Sequence, residues 1–286
     1  MLGHKVYQTM LASFPSTSCT IRGRLDEPAY RKVSLFHDGR VLEGVDVLDF
    51  ERLRMLLTGE CPSVVVNCIG IIKQRAEAEI PIPTISINAL LPHKLAEWAG
   101  YWGGRVIHFS TDCVFDGTRG GYTEDDMSDA EDLYGKTKFL GEVKAPNALT
   151  LRTSIIGREL SQFRSLLEWF LSQEGGTIRG YTRVIYSGVT TNYLAVLVAH
   201  IIEQHAGLSG LYQLTSTPIS KHDLLVNLRQ AYRLNVQIVP DDSVMSDRSM
   251  VGERFNRAMG WGTPSWDVLI EQLASDTTPY GAWRSK

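Results

Sequence analysis

The sequence has few cysteines and no run of apolar residues long enough to span a bilayer. Cys19, Cys61, Cys68 and Cys113 are widely spaced and include no Cys-x-x-Cys pair of the kind that binds zinc or exchanges disulfides. We therefore expect four reduced thiols, mostly buried, with packing roles. The seven histidines are scattered without a His-x-x-x-His pair, so we also expect no metal site.

A strong excess of charge of either sign is absent as well. The formal net charge is −3 over 286 residues, without the basic excess that nucleic-acid-binding domains usually carry. The N-terminal segment 1–14 mixes charged and polar residues into its apolar positions, which is not typical of a signal peptide. We expect a cytoplasmic protein with neither nucleic-acid nor membrane partners.

Short β-branched runs alternate with helical patterns in the first half of the chain. The runs at 64–68, 106–110 and 149–153 are typical of buried parallel strands. Apolar residues recur at helical spacing over 85–100 and again over 133–142. This alternation predicts an α/β fold, a Rossmann-like parallel sheet flanked by helices.

Beyond residue 155 the pattern changes to apolar helices with short strands between them. We expect helices at 163–171, 193–204 and 220–232, with a strand at 211–215. The change predicts two domains, an N-terminal one at 1–154 that contains the parallel sheet and a smaller C-terminal one at 155–286.

A tyrosine and a lysine four residues apart, Tyr134 and Lys138, fall within the second predicted helix. Residues four apart share a helix face, so both can meet a hydroxyl at the end of the 106–110 strand. A phenol has a pKa of about 10, and the ammonium of Lys138 would lower it. Thr111, with Ser110 as the alternative, would donate a hydrogen bond to a substrate oxygen that gains negative charge. The trio predicts a centre that polarises a carbonyl and transfers a proton.

Other strand ends offer positions for a nucleotide. An arginine that follows the second strand of a Rossmann sheet accommodates the 2′-phosphate of NADP, whereas a carboxylate there binds the ribose of NAD. Arg22 is our candidate for that phosphate, and the alternatives are Arg24 or a solvated surface arginine. Asn67, Cys68, Ile69 and Gly70 lie at another strand end, where their backbone is expected to line the nicotinamide ribose.

Two motifs carry a resemblance to a known family. Residues 110–117 read STDCVFDG and residues 134–142 read YGKTKFLGE, with VVVNCIG upstream at 64–70. In these motifs the sequence resembles the extended short-chain dehydrogenase/reductases. Within them it is most similar to the dTDP-4-dehydrorhamnose reductase group, which reduces a 4-keto-6-deoxy sugar on a nucleotide carrier for polysaccharide or cell-surface sugar synthesis. The resemblance runs from residue 1 to about residue 273.

The resemblance implies further site residues and partners. Asn88 matches an asparagine that the family keeps near the active site, and a buried structural asparagine is the alternative. Asp46 and Val47 resemble the strand end that contacts adenine, while Asp49 fits a helix N-cap. Asp112 is expected on the substrate side, and Ser110 on the cofactor side. NADP(H) is the favoured cofactor with NAD(H) as the alternative, the substrate is a nucleotide sugar, and a homodimer is the assembly considered.

The N-terminus departs from the family pattern. The family opens with a strand and a Gly-x-x-Gly-x-x-Gly turn, whereas residues 1–8, MLGHKVYQ, look like the end of that turn followed by its helix. Only Gly3 remains of the turn, and we assign it to the cofactor site. We expect a reading frame that starts late or a shortened chain, and the alternative is a true loss of cofactor binding.

Three functions remain in view. The first is NAD(P)H-dependent reduction of a keto group on a nucleotide-linked deoxysugar by Thr111, Tyr134 and Lys138, with Lys138 also holding the ribose hydroxyls. The second is a non-catalytic regulatory subunit, which resembles the partner of methionine adenosyltransferase and would suit the incomplete Gly-rich turn. The third is a sugar-nucleotide epimerase. A dehydratase fits less well, because no glutamate follows Asp112.

Overall fold

The computed structural model of the protein describes residues 1–73, 79–161 and 163–284. The helices in these residues are α1 (Leu2–Ser13), α2 (Phe50–Glu60), α3 (Pro81–Thr84), α4 (Leu91–Gly100), α5 (Leu133–Leu140), α6 (Leu166–Leu171), α7 (Thr191–Gln204), α8 (Lys221–Tyr232), α9 (Glu253–Met259), α10 (Trp266–Ala274) and α11 (Tyr280–Arg284). The strands are β1 (Ser18–Thr20), β2 (Arg40–Leu42), β3 (Val64–Asn67), β4 (Arg105–Ser110), β5 (Ala148–Arg152), β6 (Ile155–Ile156), β7 (Thr177–Tyr186), β8 (Val189–Thr190), β9 (Gly210–Gln213), β10 (Ile219–Ser220) and β11 (Gln237–Asp247).

A four-stranded parallel sheet in the order β3-β4-β5-β9 forms the centre of the molecule. Successive residues of β4 face opposite sides of this sheet. Ile107 packs with α1 and α7 on one side, whereas Val106 packs with α4 on the other. Because both faces are covered, every residue of β5 is buried. The three predicted strands and the predicted α/β class are confirmed.

The N-terminal helix joins this sheet to a smaller one. β1 and β2 form a separate two-stranded parallel sheet. Helix α1 begins at Leu2, as the sequence indicated, and packs Val6 and Met10 into the core of the central sheet. Its Tyr7 packs beside Ile21 in the core below β1. In the described residues β1 pairs only with β2 and β3 only with β4, so the two sheets are connected by side chains rather than by a shared strand.

The C-terminal half contains a third sheet, in the order β10-β7-β11. β7 and β11 run parallel, with an irregularity between Asp241 and Met245, and pack against α8. Their core also includes side chains of α6 and α10. Two elements of this half return to the first: β9 extends the central sheet and α7 packs against α1.

The four cysteines are free thiols, and Cys61 is exposed while the other three are partly buried. Among the described helices, none combines the length and the hydropathy required to cross a membrane. The same residues contain no group of three or more histidine, cysteine, aspartate and glutamate side chains arranged to hold a metal ion.

Candidate active site

Thr111 lies at the carboxyl end of β4, where the chain enters a short 3₁₀ turn at Asp112–Val114. Its hydroxyl accepts a hydrogen bond from the Cys113 backbone N–H at 3.2 Å and donates to a carboxylate oxygen of Asp112 at 3.0 Å. Thr111 and Asp112 are both buried. The turn therefore fixes one hydroxyl and one carboxylate side by side, at the edge of the sheet where ligands of open α/β folds bind.

Helix α5 carries Tyr134 against this turn. The Asp132 carboxylate caps the helix by accepting from the Gly135 N–H at 2.7 Å. A side chain at position 135 would collide with the Cys113 carbonyl oxygen, so a glycine is needed for the helix to approach so closely. This approach allows Tyr134 to hydrogen-bond with Thr111. The sequence spacing had predicted this pair.

The phenol of Tyr134 is held in its protonated form. Burial raises its pKa well above the usual range, and the charges of Cys113 and Asp112 raise it further, while the hydrogen bond with Thr111 lowers it by less. The expectation that Lys138 would lower this pKa is therefore not met. Lys138 is engaged elsewhere, and a half-buried protonated phenol suits a proton donor better than a base.

The Lys138 amine contacts residues of β4. Its Nζ donates to the Phe109 carbonyl oxygen at 2.6 Å and lies 3.5 Å from Nε2 of His108. Burial lowers the pKa of Lys138 to about 8, and the Glu142 carboxylate opposes that shift. Lys138 is thus a cation at neutral pH that releases its proton unusually easily.

His108 and Asn67 continue this chain of polar groups. Asn67 Oδ1 accepts from the Ile69 N–H at 3.1 Å, so its Nδ2 faces Nδ1 of His108, also at 3.1 Å. Burial, followed by the Lys138 charge, lowers the pKa of His108 well below its usual value, so the ring is neutral. The Asn67 side chain thus supports the catalytic helix, and only its backbone remains for a cofactor.

Asn88 was expected to touch substrate, but the structure gives it a supporting position. Its Nδ2 donates to the Ile71 carbonyl and its Oδ1 accepts from the Ile71 N–H, both at 2.9 Å. The residue is fully buried in a π-helical turn, Ile85–Leu90. These bonds favour the structural alternative, and contact of Asn88 with a substrate stays a prediction. Asn88 holds the chain that follows the 67–70 loop.

The Ser110 side chain also has a partner within the protein. Its hydroxyl donates to Glu142 at 2.7 Å, below the site. The same carboxylate accepts two hydrogen bonds from the guanidinium of Arg152, at 2.8 and 2.7 Å, and both side chains are almost completely buried. Glu142 lies one turn beyond Lys138, so this bidentate pair ties the end of the catalytic helix to β4 and β5. The Ser110 hydroxyl is therefore engaged by Glu142, and its contact with a cofactor stays a prediction.

Two of the predicted cofactor residues meet at the N-terminus of α1. A Cβ at Gly3 would stand 3.5 Å from the Cβ of Cys68, at the end of β3. The first turn of α1 thus lies beside the 67–70 loop. The N-terminus of a helix is a position suited to the phosphates of a dinucleotide.

The remaining cofactor candidates lie at the ends of β1 and β2. Arg22 and Asp46 are both exposed and form an ion pair at 3.4 Å. Val47, in contrast, packs on the core around α2 and α4. Asp49 accepts from the Arg52 N–H at 3.1 Å and caps α2, as the alternative assignment predicted. The arrangement leaves the Arg22 guanidinium accessible to a phosphate.

Sequence reasoning committed to no site residue in the C-terminal half, from which several residues approach Asp112. The charge of Asp112 acts on Tyr134, on Tyr186 at the end of β7, and on Lys221 at the start of α8. Arg248 donates to the Phe115 and Asp116 carbonyl oxygens, at 2.8 and 3.0 Å. These residues are distant in sequence and share no motif, so only the fold brings them together.

Comparison with protein families matches residues 23–243 to the model described as RmlD substrate binding domain. Methionine adenosyltransferase 2 subunit beta from Rattus norvegicus is 36% identical over 100 residues, which are 35% of this chain and 30% of that protein. The dTDP-4-dehydrorhamnose reductase from Aggregatibacter actinomycetemcomitans is 28% identical over 200 residues, covering 64% of this chain and 65% of that protein. The chain thus spans about a third of the adenosyltransferase subunit and about two thirds of the reductase.

Solved structures share the fold over nearly the whole chain. One of them, dTDP-4-dehydrorhamnose reductase from Bacillus anthracis in complex with NADP, has a TM-score of 0.72 at 19% sequence identity. The superposition covers 91% of this chain and 98% of that one. At this identity the likeness concerns the Rossmann-like fold alone.

Proposed function

The chain belongs to the RmlD substrate binding domain family of extended short-chain dehydrogenase/reductases, and from that premise we propose that it reduces a keto group on a nucleotide-linked sugar with NAD(P)H. The observation that carries the proposal is the half-buried Tyr134 phenol, whose pKa is raised and which is hydrogen-bonded to Thr111 at the end of β4. Such a pair can polarise a carbonyl and protonate its oxygen.

In this mechanism the substrate carbonyl oxygen accepts hydrogen bonds from Tyr134 and from Thr111, whose hydroxyl turns from Asp112 to the substrate. The nicotinamide cofactor supplies the hydride when it is bound. As the carbonyl carbon is reduced, Tyr134 transfers its proton to the oxygen, and an alcohol forms. The remaining phenolate is stabilised by the positive charge of Lys138 one turn away, provided that its Nζ turns from the Phe109 carbonyl.

The cofactor would be held by groups around the gap between β1 and β3. The first turn of α1, beside Gly3 and Cys68, would meet the pyrophosphate, and the backbone of the 67–70 loop would line the nicotinamide ribose. The accessible guanidinium of Arg22 supports NADP(H) as the favoured cofactor, with NAD(H) as the alternative. The Bacillus anthracis reductase of the same fold binds NADP.

We assign cofactor binding to residues 1–154 and sugar binding mainly to residues 155–286. The separate sheet β10-β7-β11 and its own core support this division. β9 is the exception, because it belongs to the central sheet. Among nucleotide sugars we propose dTDP-4-dehydrorhamnose or a close analogue, since a reductase of that name matches 64% of this chain.

A second candidate function is that of a binding subunit without reductase activity. Two observations favour it: the 36% identity with a methionine adenosyltransferase subunit over 100 residues, and the sheet that is divided between β1 and β3 beside the proposed cofactor site. This candidate predicts that a nucleotide either fails to bind or binds without being consumed.

The proposal is tested by titrating the protein with NADPH and with NADH while nicotinamide fluorescence is followed, and then by adding dTDP-4-dehydrorhamnose, which only a reductase would use to oxidise the bound cofactor. The reductase proposal predicts tighter binding of NADPH. Arg22→Ala should raise the Kd for NADPH by about tenfold, the loss of one charge-assisted contact, and leave that for NADH unchanged. Arg257→Ala is the matched control, because Arg257 is an exposed arginine on α9, outside the proposed cofactor site. Failure to bind either nucleotide would contradict the reductase proposal.

A further inference from the structure

Lys221 reaches the candidate active site from the second half of the chain. It is the first residue of α8, directly after the N-cap Ser220. Its ammonium lies 4.5 Å from the centre of the Tyr186 ring, on which it stacks as a cation. The Asp112 carboxylate acts electrostatically on both Lys221 and Tyr186, and also on Tyr134. Lys221 and the phenol of Tyr134 therefore both lie within electrostatic reach of Asp112.

The Lys221 ammonium lacks the partners that a shielded cation normally has. Within the part of the chain that the structure describes, it forms neither a hydrogen bond nor an ion pair with a carboxylate. Burial lowers the pKa of Lys221, and the charge of Asp112 compensates only in part. A half-buried ammonium with no direct carboxylate partner is unfavourable, and an anionic ligand would supply the missing interaction.

A second cation lies on the same side of the site. Arg248 uses its Nε and Nη2 to bind the carbonyl oxygens of Phe115 and Asp116, which fixes the guanidinium beside the 112–116 segment. Its charge acts on Lys221 and on Cys113, so the two cations lie near each other. Arg248 also acts on the Asp132 carboxylate, but Asp132 is already ion-paired with Lys73 at 2.6 Å, so Lys221 and Arg248 together outweigh the remaining charge of Asp112. The space that they border favours an anion.

We propose that Lys221 binds the diphosphate of the nucleotide sugar, with Arg248 completing the cationic side of the pocket. The inference rests on the proposed function and adds the residue that recognises the charged part of the substrate. An ammonium is a suitable phosphate ligand, because it provides three donors in addition to its charge. The sugar ring would then extend from the diphosphate toward Thr111 and Tyr134.

The test uses the full chain and the nucleoside diphosphates dTDP, UDP and GDP, which lack the sugar, with affinities measured by calorimetry. Lys221→Met should weaken the best-bound nucleotide by at least about tenfold, the loss of one charge-assisted contact. Lys221→Arg should retain most of the affinity. Lys136→Met is the matched control, since Lys136 is an exposed lysine on the catalytic helix, and it should bind like the wild-type protein.

A second measurement requires no substitution and remains informative if Lys221→Met does not fold. In the wild-type protein, bound nucleoside diphosphate should slow the acetylation of Lys221 by an amine-reactive reagent and leave the acetylation of Lys136 unchanged, as followed by mass spectrometry. If bound nucleotide does not slow the acetylation of Lys221, or if Lys221→Met binds the diphosphate as tightly as wild type, the inference is overturned. The reductase proposal would then still stand. If the wild-type protein binds none of the three nucleotides, both fail.

Discussion

At the scale of single residues, the account depends on the proton of Tyr134. Because burial keeps the phenol protonated, its role is that of an acid toward the substrate oxygen. Tyr134→Phe removes only that hydroxyl, so turnover should fall by at least about a hundredfold, the usual contribution of a general acid. The Kd for NADPH should not change. Tyr101→Phe, at an exposed tyrosine, is the control. Equal turnover in Tyr134→Phe and wild type would rule out the mechanism.

The buried pair of Glu142 and Arg152 leads to a prediction about stability. Glu142→Gln leaves the Arg152 guanidinium buried without its counter-ion, and removing one partner of such a pair costs about 3–5 kcal/mol. We expect a loss of that order in the free energy of unfolding, measured in urea. Glu60→Gln breaks the more exposed pair of Glu60 with Arg40 and should cost far less. Similar losses in the two variants would show that burial does not determine how much an ion pair contributes to the unfolding free energy.

Some of these residues were predictable from sequence and others were not. The pairing of Thr111 with Tyr134 follows from a strand end and a helix face, which are local patterns. The side chains of Ser110 and Asn88 instead bind Glu142 and Ile71, partners that only the packed fold brings near. Position in a motif indicated that these two residues matter, but it did not indicate in which direction their polar groups point.

At the scale of elements, the close packing of α5 on the π-helical turn Ile85–Leu90 positions the catalytic helix. Gly141 ends α5, and a Cβ there would collide with the Asn88 carbonyl oxygen. Gly141→Ala should therefore displace the helix, with about 1–3 kcal/mol lost in unfolding free energy and a lower kcat.

The matched control for this substitution is Gly59→Ala, in the exposed part of α2. No atom lies within 4 Å of the Cβ position there, so alanine should raise the unfolding free energy by about 0.5–1 kcal/mol. If Gly141→Ala were as stable and as active as wild type, the contact with Asn88 would not be what positions α5.

The elements differ in how well the sequence predicted them. β3, β4 and β5 are short β-branched runs buried on both faces, and such runs are visible in sequence. The longest strands, β7 and β11, were missed. They carry arginines and aspartates on exposed faces, and β11 also contains a proline, so their pairing depends on the surrounding fold rather than on local preference.

At the scale of the whole molecule, the two ends of the described chain pack against each other. Lys5 on α1 forms an ion pair with Asp276 at 2.7 Å, and His4 shares a hydrogen bond with the Tyr280 hydroxyl at 2.9 Å. Burial lowers the pKa of His4 from 6.5 to about 3. Between these values the unfolded chain binds a proton at His4 that the folded protein does not, so this residue's contribution to stability falls as the pH falls below 6.5.

This linkage predicts how the unfolding free energy depends on pH. His4→Gln should show a smaller loss of stability than wild type when the pH is lowered from 6.5 to about 5, since one fewer group binds a proton on unfolding. Urea unfolding at both pH values measures the difference. His37→Gln, at an exposed histidine, should behave like wild type. Parallel pH dependence in all three proteins would contradict the assignment to His4.

The central claim is tested most directly by following the hydride. The protein is mixed with NADPH that carries deuterium at the transferable position and with dTDP-4-dehydrorhamnose, and the products are analysed by mass spectrometry and NMR. The account predicts one deuterium on the carbon that held the keto group, with one NADPH oxidised for each alcohol formed. A sugar that changes without oxidation of NADPH, or NADPH that binds and is never oxidised, would contradict it.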